Sequence, residues 1–118
     1  MKSRASQFIG DWRIMEMEEW DREYLDEEVP AYIRFEKKGM GEFQFGLVKA
    51  KIDYRAATRD GKPAVEFSWE GYSEMDPMTG RGWAILNEDD SLTGRIFFHL
   101  GDESGFMATR KCGRSKGN

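Results

Sequence analysis

Apolar and polar residues alternate through segment after segment of the chain, the period-2 signature of strands with one buried face. Between about Gly10 and Met17, Trp12 and Ile14 fall on one side; between about Ala31 and Lys37, Ala31, Ile33 and Phe35 alternate with Tyr32, Arg34 and Glu36. Gly39-Met40-Gly41 reads as a tight turn, after which Phe43, Phe45 and Leu47 share a face. There the phase slips, because Val48, Ala50, Ile52, Tyr54 and Ala56 occupy even positions. With Gly46 beside the slip and no turn chemistry in Gly46-Leu47-Val48, the pattern predicts one long strand, Glu42 to Ala57, bent by a β-bulge.

Asp60-Gly61 is the clearest hairpin signal. Val65, Phe67 and Trp69 then alternate with Glu66, Ser68 and Glu70 until Asp76-Pro77-Met78-Thr79-Gly80, which reads as a turn. Trp83 and Ile85 are assigned inward; after a polar turn from Asn87 to Ser91, Leu92, Gly94, Ile96 and Phe98 form the next inward row. Gly101-Asp102-Glu103-Ser104 closes the last hairpin, and a final strand from about Gly105 to Arg110 sends Phe106 and Ala108 inward.

Seven sequential strands, or eight if the bent one counts twice, predict an all-β fold. An antiparallel up-and-down β-barrel removes exposed edges, with a two-sheet sandwich as the alternative. Two segments look helical. Arg4 to Ile9 forms a short turn before the first strand, and Trp20 to Glu28 sets Trp20 and Tyr24 at i, i+4 on one face, placed to cap a barrel mouth or to tuck onto its wall. Residues 1–111 are expected to form a single domain and residues 112–118 a disordered tail.

Composition narrows the chemistry. With 118 residues, 39% hydrophobic and 14% aromatic, the chain holds enough apolar material for one core. Cys112 and His99 are the sole cysteine and histidine, so neither a disulfide nor a structural zinc site is expected, and no metal or cofactor is predicted. No apolar run approaches a membrane span and the first residues lack a secretory pattern, which points to a cytoplasmic protein with no membrane partner. Between Glu16 and Glu28 eight acids face one base, Arg22, so this segment carries −7 and the rest of the chain +3 of the net −4. An acidic segment repels phosphate backbones, so nucleic acid is an unlikely partner. One counter-signal exists in Lys49, Lys51 and Arg55 on an outer strand face, with Phe97-Phe98-His99 distant in sequence.

Nothing in the motifs points to an enzyme. His99 falls out of phase with the inward row, Cys112 sits in the glycine-rich tail, and Glu66 and Glu70 share a strand face that alternates with apolar residues and so faces water. No glycine loop precedes a helix as phosphate-binding motifs require. What stands out is the aromatic inward row, which serves either as core or as the lining of a pocket. Tyr54, Phe67, Trp69 and Trp83 are the candidate residues for a small, partly apolar or aromatic ligand. The alternative is a solid barrel acting as a protein-interaction or self-association module through the acidic segment 16–28, with Trp20 and Tyr24 as contacts.

Gly10-Asp11-Trp12, entering the first strand after a helical turn, resembles the lipocalin and wider calycin pattern, and Arg110 matches the basic residue that lies across that tryptophan in lipocalins. The resemblance implies a cation–π contact between Trp12 and Arg110, both structural, and a ligand-binding barrel. The chain lacks the family's middle motif. The runs Phe67-Ser68-Trp69-Glu70-Gly71, Gly80-Arg81-Gly82-Trp83-Ala84 and Phe97-Phe98-His99 are also similar to a group of short bacterial proteins that brings no activity with it.

Overall fold

Eight antiparallel strands follow one another around a closed barrel in chain order, and the last pairs with the first. The computed structural model describes residues 4–111; the tail 112–118, with Cys112, lies outside the described residues. The strands are β1 (Gly10–Met17), β2 (Tyr32–Phe35), β3 (Met40–Phe45), β4 (Val48–Arg59), β5 (Lys62–Ser73), β6 (Asp76–Leu86), β7 (Ser91–Phe98) and β8 (Glu103–Arg110). A 3₁₀ turn (Arg4–Phe8) precedes β1, and the β1–β2 connection holds a single short helix, α1 (Arg22–Leu25), N-capped by the Asp21 carboxylate, which accepts from the Tyr24 amide at 3.0 Å.

Three local readings of the pattern are corrected. The bent strand Glu42 to Ala57 is two strands, because Phe45 pairs with Val48 across a two-residue turn. Gly46 takes φ +55° there and Leu47 does not go positive, the φ signature of a type II′ turn, which needs glycine only at its first position. The slip of phase is therefore a reversal, and the bulge lies instead in β1, where the register against β8 shifts between Ile14 and Glu16 and brings Met17 inward. The turn expected at Gly39-Met40-Gly41 sits earlier, where Lys38 and Gly39 both hold positive φ, and Met40 and Gly41 already belong to β3. Asp76 to Gly80 is strand, since the reversal is made by Glu74 and Met75. Pro77 is tolerated because the bonds across to β7 and its following turn begin only at Thr79, whose carbonyl accepts from the His99 amide, so Pro77 lies on the overhang beyond them.

The interior is filled by rings standing over glycines. Trp12, Ile14, Ile33, Phe35, Phe43, Phe45, Val65, Leu92 and Ile96 are wholly buried. On β6 and β7 the inward positions opposite the largest rings carry no side chain. A Cβ on Gly82 would come within 2.6 Å of the Phe67 ring, one on Gly80 within 2.8 Å of Trp69, and one on Gly94 within 2.6 Å of Phe106. This corrects the assignment of Trp83 and Ile85 to the inner face. The inward row of β6 is Gly80, Gly82 and Ala84, which pair with Trp69, Phe67 and Val65, while Trp83 pairs with Glu66 and Arg95 on the outside. Alternation alone cannot reveal an inner row made of glycine.

Both ends are closed. At the end where β1 begins, Phe8 is buried with its ring against Phe35, and its carbonyl accepts from the Trp12 indole at 2.9 Å. The Arg110 guanidinium lies 4.2 Å from the Trp12 ring, bonds both Asp90 carboxylate oxygens at 2.8 and 3.1 Å, and donates to the Gln7 carbonyl at 3.0 Å. The expected contact between Trp12 and Arg110 is thus present, and such a contact contributes about 0.5–2 kcal/mol. At the other end the β1–β2 connection folds over the mouth. Leu25 is buried there, Trp20 packs on Phe45 and Phe98 with centroids 5.2 and 5.9 Å apart, and the Gly46 amide donates to the Leu25 carbonyl. The helix anticipated from Trp20 to Glu28 shrinks to one turn because Asp21 caps it and Asp26 leaves it to bind Arg13 and the Ala31 amide.

Two outcomes follow from this packing. Gly82→Ala, which forces a methyl against both Phe67 and the Arg95 carbonyl, is expected to lower unfolding free energy by about 1–3 kcal/mol in urea denaturation. The hydrogen bond from Arg110 holds the Asp90 carboxyl below its usual range despite some burial, so this carboxylate stabilises the fold above the ordinary carboxylate range and ceases to as pH falls through its lowered value. The Tm gap between wild type and Asp90→Asn should therefore be widest near neutral pH and close on acidification.

Candidate functional site

Of the residues expected to line a ligand pocket, the fold gathers three and expels one. Phe67 and Trp69 stand in the core on β5, and Tyr54 faces them from β4. Tyr54 is not a free polar handle, since its hydroxyl donates to the Glu36 carbonyl at 2.5 Å; desolvation and the nearby Glu36 charge push its pKa up. Trp69 is wedged edge-on between Phe43 and Phe98, with centroids 5.2 and 5.1 Å away, and its buried indole N–H has no acceptor among the described residues. Around these residues the interior is occupied by their neighbours' rings. Trp83 stands on the outer face with the Arg59 guanidinium 4.0 Å over its ring.

The partner-binding candidates Trp20 and Tyr24 meet at the mouth, with centroids 6.1 Å apart. Tyr24 lies directly over Gly46, and its hydroxyl accepts from the Leu47 amide at 3.3 Å, which clamps the acidic connection onto the β3–β4 turn. Several acids of that connection serve the fold. Asp26 pairs with Arg13 at 2.7 Å and Asp21 caps α1. Glu18 accepts from the Gly105 amide and pairs with Arg95 at 3.0 Å, and the amide first, then the guanidinium, hold its carboxyl low. Glu19, Glu23, Glu27 and Glu28 remain exposed.

Beside the aromatic cap runs an open groove of about 490 Å³, whose floor includes Trp20, Tyr24, Val48, Met78 and Phe98. Its edges come from the β5–β6 and β7–β8 turns, which present the most exposed large apolar side chains of the described residues: Leu100, 95% exposed, and Met75, 89% exposed. Asp102 lines the same groove, and Glu74 and Asp76 flank Met75 on an exposed turn. Sequence reasoning found Trp20 and Tyr24 but missed Leu100, Met75 and Met78. The signal was available, since Leu100 and Met75 are apolar residues inside otherwise polar turns, where period-2 alternation has no say.

On the outer wall, Tyr32 hydrogen-bonds Glu42 in a cluster with Arg34 and Asp11; burial first, then Glu42, pushes its pKa up to about 12. This is an ion-paired seam between β1, β2 and β3. No group of His, Cys, Asp and Glu among the described residues is arranged to hold a metal ion. No helix of the described residues is long and apolar enough to cross a membrane. Comparison with protein-family models and with curated proteins finds no match.

The clamp makes a specific prediction. Gly46→Ala would place a methyl 2.2 Å from the Tyr24 ring at a backbone φ of +55°, so the cap must lift or the turn must open. A loss of about 1–3 kcal/mol is expected, with a red shift in tryptophan emission from Trp20.

Proposed function

We propose that the chain is a solid calycin-type barrel that acts as a protein-interaction module, binding a basic segment with one or two apolar side chains at the capped mouth. The reading of the barrel as calycin-type is supported by Gly10-x-Trp12 and by the Arg110 guanidinium over Trp12. The interaction reading is carried by one observation: Leu100 stands almost wholly in solvent at the edge of a groove lined by Trp20, Tyr24, Met78 and Phe98, and Met75 is exposed on the turn between Ser73 and Pro77, which line the same groove. Leu100 also holds φ +58°, a left-handed conformation that costs a leucine about 1 kcal/mol. Glycine would make that turn more cheaply, and the leucine side chain buries nothing within its own chain. An apolar centre within a charged rim is the anatomy of a recognition surface. Asp102 lines this groove, Glu74 and Asp76 flank Met75 on the adjoining turn, and Glu19 and Glu23 are exposed on the capping connection, charges of one sign that favour a basic partner and speed its encounter.

A second reading, a small partly apolar or aromatic ligand among Tyr54, Phe67 and Trp69, has the unpaired indole N–H of Trp69 in its favour. It requires rings now in contact to move apart. Native mass spectrometry of protein purified without refolding separates the two: a stoichiometric small-molecule adduct favours the interior, and a bare mass favours the solid barrel.

The mouth is tested by NMR titration with a short peptide of alternating leucine and lysine. Saturable shifts confined to Trp20, Tyr24, Met75, Met78 and Leu100 are expected, weakened about tenfold or more in Leu100→Glu. The same peptide with glutamate for lysine should not bind. Shifts scattered over the barrel, or binding that survives both Leu100→Glu and Met75→Glu, would overturn the assignment.

A further inference from the structure

A second surface, separate from the mouth, is built on the outer face of β4, β5, β6 and β7. The register sets Asp53, Ser68, Arg81 and Phe97 in one cross-strand row, and Arg55, Glu66, Trp83 and Arg95 in the next. Between these rows runs a groove of about 500 Å³, with Arg59 closing one side. Two features set it apart from the rest of the wall.

The first is its arginines. Arg13, Arg34, Arg95 and Arg110 each hold a carboxylate within 3.3 Å, whereas Arg55, Arg59 and Arg81 form no ion pair among the described residues. All three line this groove. Two of them stack instead on aromatic rings, Arg59 at 4.0 Å over Trp83 and Arg81 at 5.7 Å over Phe97. Stacking fixes the guanidinium plane and leaves its N–H fork unused, which is how arginine is prepared for a bidentate anion. The second feature is the rings themselves. Trp83 and Phe97 belong to no part of the buried core, yet a tryptophan and a phenylalanine are held half-exposed on a polar wall.

We propose that this groove binds a free mononucleotide, its phosphate held by Arg55, Arg59 and Arg81 and its base packed edge-on beside Phe97 and Trp83, over which the guanidiniums of Arg81 and Arg59 already lie. Asp53, Glu66 and Ser68 line the same groove and accept from the ribose hydroxyls or the base amino group. Charge selects the monomer over the strand. Three cations against two carboxylates within the groove suit one phosphate, while beyond its end Lys51 is set opposite Glu70, so the positive charge does not run on as a track, and the net charge of −4 repels a polyanion. The fold thus joins segments that lie far apart in the chain, with a basic strand face on one side and Phe97 on the other.

Isothermal titration with adenosine monophosphate tests the site, with adenosine, inorganic phosphate and a single-stranded oligoadenylate as companions. Saturable binding of the monophosphate is expected, at least about tenfold tighter than adenosine or phosphate alone, because each supplies only half of the contacts. Arg81→Gln and Trp83→Leu, both on the outer face, should each weaken it about tenfold or more, and Arg81→Lys should not restore it, since lysine lacks the fork. Arg22→Gln, on the mouth connection, should leave it unchanged. No saturation at millimolar monophosphate would overturn the proposal, as would binding indifferent to Arg81→Gln in a variant whose Tm is unaltered. Tighter binding per nucleotide by the oligoadenylate would overturn the choice of a free nucleotide.

Discussion

The constraint on which the rest of this barrel depends is interior volume. Eight strands enclose a space just wide enough for side chains to fill, and this chain puts large rings there: Phe35, Phe43, Phe45, Phe67, Trp69 and Phe106. They fit only because the facing positions on β6 and β7 are glycines, with Gly80 under Trp69, Gly82 under Phe67 and Gly94 under Phe106. Ring and glycine act as one unit. Adding a methyl to the glycine or removing the ring breaks the same contact, from opposite sides.

That packing leaves the two ends of the barrel and its outer wall as the surfaces open to solvent. One end is closed by Phe8, Trp12 and Arg110, where stacking, a bidentate carboxylate and a backbone carbonyl use up the guanidinium. The other is closed by Trp20, Tyr24 and Leu25, and beside that cap Leu100 stands in solvent at the edge of a groove, with Met75 exposed on the β5–β6 turn. On the wall, the glycines inside β6 have an outer counterpart. With the inner row given to backbone, the bulky residues of that strand, Arg81 and Trp83, stand outside, where they meet Arg59 and Phe97.

The architecture was largely legible. Alternation located nearly every strand, Asp60-Gly61 located the longest hairpin, and Gly10-x-Trp12 with Arg110 anticipated the contact across the barrel seam. One error fell where a single glycine decides between two geometries. Gly46 beside a phase slip fits both a bulge and a reversal, and the two differ only in whether β3 and β4 turn back on each other. Of the candidate site, the nearness of Trp20 and Tyr24 was legible from their i, i+4 spacing, while Leu100 and Met75 lie in turns, where period-2 alternation carries no information.

By itself, the sequence determined the all-β class and the place of most strands, because a period-2 pattern can bury its apolar face only in sheet and a run of such hairpins removes its edges best by closing. Only the tertiary structure decided which face of β6 points inward. Periodicity records where side chains are, and it cannot see a row chosen for having none. That choice rests on the rings opposite, contributed by β5 and β8, and so it exists only once the strands are side by side.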